Sequence, residues 1–308
     1  MLIYIVTLIT VPFYTLFFVL LYRYRSTGEF KSSFYRLLRH SSVVDIINIL
    51  VNFCTFTLFR DFWHVWPQIF KYSPYWLPFF LFATFSTTTS SFAFVVAIGL
   101  NRFTAMAKPV THKAFWTKHC TKVLWFCWIF PMAAFLPTLL LDVRYEIPGD
   151  INWRSNVSVN VSSVYWHNDT QLLAVFGAAT LGVLVSAVGL VVLYTATGVA
   201  IVVRKNNPMS ETTSNAITAA QWRVTLIGFQ LAVPAILILA WVSFHTIIAL
   251  LGLEQPPFLP VYQTLQLIFT CQTPYVSTLL SSAVRKQWQV FLGAEPNGVA
   301  HGGTAKTH

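Results

Sequence analysis

The sequence predicts an all-α fold: a bundle of seven transmembrane helices with the N-terminus outside the cell and the C-terminus in the cytoplasm. Composition, the number of long apolar runs and the distribution of positive charge each support this prediction. Of the 308 residues, 56% are hydrophobic and 10% are charged, whereas a soluble domain has roughly 45–50% and about 25%. Because so few charges cannot cover a surface in water, the composition argues against a soluble enzyme and a disordered chain.

Seven apolar runs approach or exceed the length of about 20 residues that a helix needs to cross a bilayer. We expect these spans near 2–22, 38–59, 75–100, 123–141, 171–203, 224–251 and 258–283. The first run lacks a preceding basic region, so we interpret it as a retained helix and not as a signal peptide. The fifth is long enough for a cytoplasmic extension, and three glutamines make the seventh the least apolar. We expect residues 1–290 to form one seven-helix membrane domain and 291–308 to be a flexible cytoplasmic tail.

Positive charge orients the bundle. With the N-terminus outside, 16 of the 20 lysines and arginines fall on the cytoplasmic side, as the positive-inside rule requires. Three N-glycosylation sequons, at Asn156, Asn160 and Asn168, all fall in the loop between spans four and five. Since sequons are modified only in the secretory lumen, this loop is predicted to lie outside.

Signals of catalysis and of metal or nucleic-acid binding are missing from the sequence. The eight histidines form no metal-binding pair within a span, and no nucleophile elbow, phosphate-binding loop or paired intramembrane carboxylates occur. The excess of positive charge lies in short clusters between apolar runs, which is typical of cytoplasmic loops and not of a nucleic-acid interface. The cysteines form no CxxC pair, so we expect buried thiols. We therefore predict no catalytic residue, no metal and no cofactor.

Polar residues inside the spans are the candidate functional groups. Asp45, Asn48 and Asn52 share one face of span two. They form either a polar cluster in the bundle core or, for Asp45, a shallow ion pair with a residue such as Arg39. The hydroxyl run Ser86–Ser91 in span three either bonds back to its own helix or forms the polar floor of a ligand pocket. Prolines Pro234 and Pro274 indicate hinges in spans six and seven.

Several of these features together resemble G-protein-coupled receptors. They are the seven spans, Asn101-Arg102-Phe103 at the end of span three, and prolines in spans six and seven. More specific are residues 30–38 followed by Asp45, and residues 100–106 followed by Pro109, His112 and Trp116. These motifs are similar to nematode serpentine chemoreceptors of the class gamma (Srg-type) superfamily, with the class V (Srv) branch an equal candidate.

This resemblance implies a chemosensory receptor in the plasma membrane of a sensory cilium, acting through a heterotrimeric G protein. It implies that Arg102, with Asn101, forms the G-protein coupling motif. Asn101 stands where the usual acidic neighbour would be, so an inactive-state lock must be weaker or built differently. The regions flanking the outer end of span three also lack the cysteines that usually join it to the next outer loop.

We expect a small-molecule or pheromone-like ligand, mostly apolar or neutral, in the outer half of the bundle. The candidate pocket residues are Phe79, Phe82, Trp241, His245, Tyr262 and Gln266. The first alternative is a membrane transporter or channel, which would require ionisable groups near the midplane. The second is a membrane enzyme acting on lipid, which would require a cluster of catalytic side chains at the membrane face.

Overall fold

The computed structural model describes residues 2–58, 76–140, 169–205 and 258–293, together with 233–234, 236–238, 240–241 and 243–244. The described chain is helical. Its α-helices are, in order, α1 (Leu2–Arg23), α2 (Ser33–Asn52), α3 (Trp76–Ala107), α4 (Pro109–Phe135), α5 (Asp169–Lys205), α6 (Phe258–Leu280) and α7 (Ser282–Phe291). A π-helical turn, Phe53–Leu58, extends α2, and 3-10 turns occupy Gly28–Lys31 and Leu136–Leu140. These elements confirm the all-α fold class.

Five helices in the described chain are long and apolar enough to cross a membrane. The segments are Tyr4–Arg23, Ser33–Thr55, Pro78–Ala107, Pro109–Leu140 and Leu184–Val203. Helix α6 lies at the predicted seventh span, and three glutamines interrupt its apolar sequence. Most of the predicted sixth span, 224–251, lies outside the described residues. The sequons and the tail from 294 onward also lie outside them.

Several helices extend beyond the apolar runs that predicted them. Helix α4 begins at Pro109, well before the predicted start at 123, with a proline in its first turn, where the missing N–H costs no hydrogen bond. Helix α3 continues through Arg102 to Ala107. Apolar composition locates the segment in the lipid, whereas capping and helix propensity decide where the helix ends. Helices α3 and α4 are therefore longer than their predicted spans, and the additional turns are polar and lie near Arg102.

Helix α3 is the centre of the bundle. Within its most apolar window, 67% of the residues are buried, against 22–44% for the other four spans. It packs against α2, α4 and α5. Helix α5 packs next to Gly99, where an added Cβ would lie 3.5 Å from the Tyr194 hydroxyl, in ordinary van der Waals contact. The central position of α3 brings its hydroxyl run against neighbouring helices.

The periphery of the bundle is apolar. On α4, large side chains such as Trp125, Phe126 and Ile129 are more than half exposed. On α5, Val185 and Val192 are similarly exposed. An apolar surface of this kind suits a lipid environment and would be unfavourable in water.

Candidate functional site

The first candidate site is a polar core between α1, α2, α3 and α6. We define it by Tyr14, Ser41, Asp45, Asn48, Asn52, Thr87, Thr88, Ser91 and Gln266. Helix α2 presents its acid and amides from successive turns of one face toward the hydroxyl run of α3. The run is compatible with a membrane helix because several of its hydroxyls, such as those of Ser86 and Thr87, also donate to carbonyls one turn earlier.

Asp45 is buried, with 3% of its surface exposed. Its carboxylate accepts hydrogen bonds from Tyr14 at 2.6 Å, from Ser91 at 2.8 Å and from Ser41 at 3.3 Å. The alternative pairing with Arg39 is not formed, because that guanidinium donates to the Phe30 carbonyl oxygen at 3.3 Å. Asp45 thus connects α1, α2 and α3 through hydroxyl donors.

Asn48 and Asn52 extend the polar core by one and two turns along α2. The Asn48 Oδ1 accepts from Thr87 at 3.2 Å, from Thr88 at 3.1 Å and from the Asn52 amide. Gln266 of α6 donates to Thr88 at 3.2 Å. These bonds couple the predicted seventh span to spans two and three through neutral groups, an arrangement suited to recognition and not to proton abstraction or nucleophilic attack.

The second candidate site is an inner cluster, defined here as Ser33, Phe34, Tyr35, Asn101, Arg102 and Tyr194. Asn101 is buried and donates to the Ser33 hydroxyl at the start of α2, at 2.8 Å. The Arg102 guanidinium lies over the Phe34 ring, 3.3 Å from its centroid, which is a cation–π geometry. Span three is therefore attached to α2 by an amide and an aromatic ring.

Two polar groups of the inner cluster have no partner within the described chain. They are the Arg102 Nε and the Tyr194 hydroxyl, both buried. Buried donors without partners are rare in folded proteins. Their presence near the Arg102 end of α3, beside α5, leaves capacity for a further hydrogen-bonding group.

Polar contacts also attach the flanking helices to this end. Trp116 of α4 donates to Thr104 of α3 at 2.8 Å, and His112 lies 3.1 Å from the same hydroxyl. Ser281, between α6 and α7, caps the start of α7. Its hydroxyl oxygen lies 3.1 Å from the Tyr35 hydroxyl of α2. Trp288 of α7 stacks on Phe13 of α1, with ring centroids 5.8 Å apart.

The structure places the predicted pocket residues unequally. Gln266 is buried in the polar core, whereas Phe79 is about half exposed and contacts the rings of Trp76 and Phe80. Phe82 is partly buried, and Trp241 lies 5.8 Å from the ring of Phe244. His245 and the side chain of Tyr262 lie outside the described residues. Pro234 is buried in helical backbone, and Pro274 lies inside α6.

Sequence reasoning missed the partners that come from other helices. Tyr14 and Tyr194 carry no sequence signal, because each is a single polar residue in an apolar run, and Ser33 lies within the motif 30–38 without any indication of its partner. Ser91 had a signal, since it closes the hydroxyl run of span three. All four cysteines are free thiols, and the part of the chain that the structure describes contains no group of three or more metal-ligating side chains.

Comparison with known proteins identifies the family. The model of the serpentine type 7TM GPCR chemoreceptor family Srv matches residues 3–292. The chain belongs to this Srv family. It is similar to "Serpentine receptor class V-1" of Caenorhabditis elegans, with 30% identity over 145 residues. That alignment covers 46% of the chain and 45% of the relative, so the chain matches less than half of that relative's length.

The family assignment confirms the predicted resemblance and settles the branch as Srv. Seven-transmembrane receptors of this family are membrane proteins, which agrees with the apolar helices of the described chain. The Srv family is a family of chemoreceptors and not of enzymes.

Proposed function

We propose that this Srv protein is a chemosensory receptor that binds an external small molecule and activates a heterotrimeric G protein. The observation that carries the proposal is the inner cluster, where the Arg102 guanidinium lies on Phe34 without a carboxylate partner among the described residues. A stacked arginine with an unpaired nitrogen is available to a new acceptor once the helices move apart. Asn101 and Arg102 are the proposed coupling residues.

We place the inner cluster on the cytoplasmic side. The ends of α1 and α3 and the starts of α2 and α4 carry basic residues such as Arg23, Arg36, Arg102 and Lys113, which supports the N-terminus outside. This orientation puts Asn156, Asn160 and Asn168 outside as N-glycosylation sites. The protein is then a multi-pass plasma-membrane receptor of a sensory cilium.

The ligand would bind in the half of the bundle away from Arg102, near Phe79, Phe82, Trp241, His245, Tyr262 and Gln266. The polar core of Asp45, Asn48 and Asn52 connects this half to the inner cluster along α2 and α3. Ligand binding would favour one of two helix packings, with Pro234 and Pro274 as hinge positions. The contact of Gln266 with Thr88 supports a coupling between the seventh and third spans.

Replacing Arg102 with alanine tests this proposal. The chain would be expressed with a heterotrimeric G-protein dissociation sensor, and ligand-independent activation would be measured at matched surface expression. We expect Arg102→Ala to abolish activation, whereas Lys113→Ala, which removes an exposed charge from the same end, leaves it unchanged. Equal loss in both variants, or unchanged activation in Arg102→Ala, would contradict the assigned role.

A further inference from the structure

Three amides in the polar core, two of them buried and Asn52 partly buried, each use only part of their hydrogen-bonding capacity. We call Asn48, Asn52 and Gln266 the amide triad. Asn48 Nδ2, Asn52 Oδ1 and Gln266 Oε1 have no hydrogen-bond partner within the described chain. Asn48 is fully buried and Gln266 is 2% exposed, and the unpaired oxygen of the partly buried Asn52 is itself buried.

The three amides belong to one hydrogen-bonded network, because their other polar atoms are bonded together directly or through Thr88. Asn52 donates to Asn48 Oδ1. Gln266 donates to Thr88 at 3.2 Å, and Thr88 donates to the same Asn48 oxygen at 3.1 Å. Rotating a side-chain amide by 180° exchanges its nitrogen and oxygen but still leaves one polar atom unpaired. The number of unpaired hydrogen-bonding atoms therefore does not depend on which atom is the nitrogen and which the oxygen.

Buried amides left half-bonded cost free energy comparable with a lost hydrogen bond. A ligand that forms hydrogen bonds with these groups would recover that free energy, so ligand binding at this site is favoured. The amide triad offers both donors and acceptors. An anion, which only accepts, would leave the carbonyl oxygens unpaired, and an ammonium ion, which only donates, would leave an amide N–H unpaired.

Aromatic packing closes the site on the side nearer Arg102. Phe92 follows Thr88 by one turn of α3, and Phe269 follows Gln266 by about one turn of α6. Their rings stack with centroids 4.4 Å apart, and both side chains are buried. A guest must therefore extend its remaining atoms toward the opposite end, where the proposed ligand enters.

We propose that the amide triad binds the polar end of the ligand, and that the ligand class is a neutral molecule carrying a hydroxyl or primary amide group on an apolar body. This inference rests on the proposed function, because it assigns the ligand chemistry of the same receptor. Gln266 and Asn48 are the specificity-determining residues, and the apolar body lies toward Phe82.

The test uses straight-chain probes of four to ten carbons that differ only in their polar end: primary amides, primary alcohols, methyl ketones, alkylammonium ions and carboxylates. The full chain in lipid nanodiscs would be unfolded with a thiol-reactive dye that reports exposure of the buried cysteines. We expect amides and alcohols to raise the unfolding temperature, and the other three series to leave it unchanged.

Variants locate the effect. Gln266→Leu and Asn48→Leu should each weaken amide and alcohol binding about tenfold, in line with the loss of one buried hydrogen bond. Thr270→Val is the matched control, since it removes a buried hydroxyl one turn along α6 that already bonds to the Gln266 carbonyl at 2.8 Å. Binding in this control should be unchanged. The selectivity among the probes is measured on the unmodified chain, so this part of the test remains valid even if a variant fails to fold.

Equal responses to ketones or charged probes, no response to any alcohol or amide, or unchanged binding in a folded Gln266→Leu variant would overturn the inference. G-protein activation measured with the same probes separates the two proposals. Amide-dependent binding without activation would contradict the proposed function alone. Activation by ketones that persists in Gln266→Leu would contradict the ligand class alone.

Discussion

Replacing Asp45 with leucine tests how the polar core stabilises the bundle. The change removes the acceptor of hydrogen bonds from Tyr14, Ser91 and Ser41. The two serines can bond back to carbonyls of their own helices, whereas the buried Tyr14 hydroxyl loses its carboxylate acceptor and keeps only the neighbouring Thr273 hydroxyl as a side-chain partner among the described residues. A stranded buried donor costs about 1–3 kcal/mol, and a hydrogen bond to a charged group contributes about 1.5–3 kcal/mol.

We therefore expect Asp45→Leu to lower the free energy of unfolding by about 2–3 kcal/mol. At roughly 2–4 °C per kcal/mol for a large chain, the unfolding temperature falls by about 4–12 °C. The buried cysteines, including Cys127 and Cys271, become reactive on unfolding, so a thiol-reactive dye measures the transition.

Two further variants make the test specific. Ser42→Ala removes a buried hydroxyl whose partner within the described chain is the Leu38 carbonyl of its own helix, and we expect a change of less than about 0.5 kcal/mol. Adding Tyr14→Phe to Asp45→Leu removes the stranded hydroxyl and should restore part of the lost stability. An Asp45→Leu variant as stable as the unmodified chain, or no recovery in the double variant, would refute the reasoning.

Three other predictions follow from packing and topology. Gly99→Ala should be tolerated because its Cβ lies 3.5 Å from the Tyr194 hydroxyl, whereas Gly99→Val should destabilise by about 1–3 kcal/mol in the same dye assay. Trp288→Ala should cost about 3 kcal/mol, because it loses the stack on Phe13 and the bond to Thr278; a neutral effect would argue against docking of α7. Replacing Asn156, Asn160 and Asn168 by glutamine should remove one glycosidase-sensitive gel shift each, and unmodified asparagines would argue against an outer loop.

The sequence predicted those features of the site that depend on one helix alone, such as which residues share a face. The periodicity of α2 placed Asp45, Asn48 and Asn52 on one face, and these residues do line the polar core. The sequence also predicted α1 from its apolar run, but it did not predict the role of Tyr14, because a single tyrosine in that run gives no indication of its partner.

Contacts between helices depend on tertiary packing and were not predictable in this way. The substitution of Asn101 for an acidic residue excluded an ion pair within that motif, yet only the structure shows Asn101 bonded to Ser33 and Arg102 on Phe34. The early start of α4 at Pro109 was also missed, since hydropathy marks the lipid-embedded part of a helix and not its full length.

The most direct test of chemosensory function is the location of a C-terminally tagged chain in the animal that produces it. The account predicts concentration of the tag in the cilia of sensory neurons. Signal confined to the gut or to internal membranes would contradict a chemosensory role.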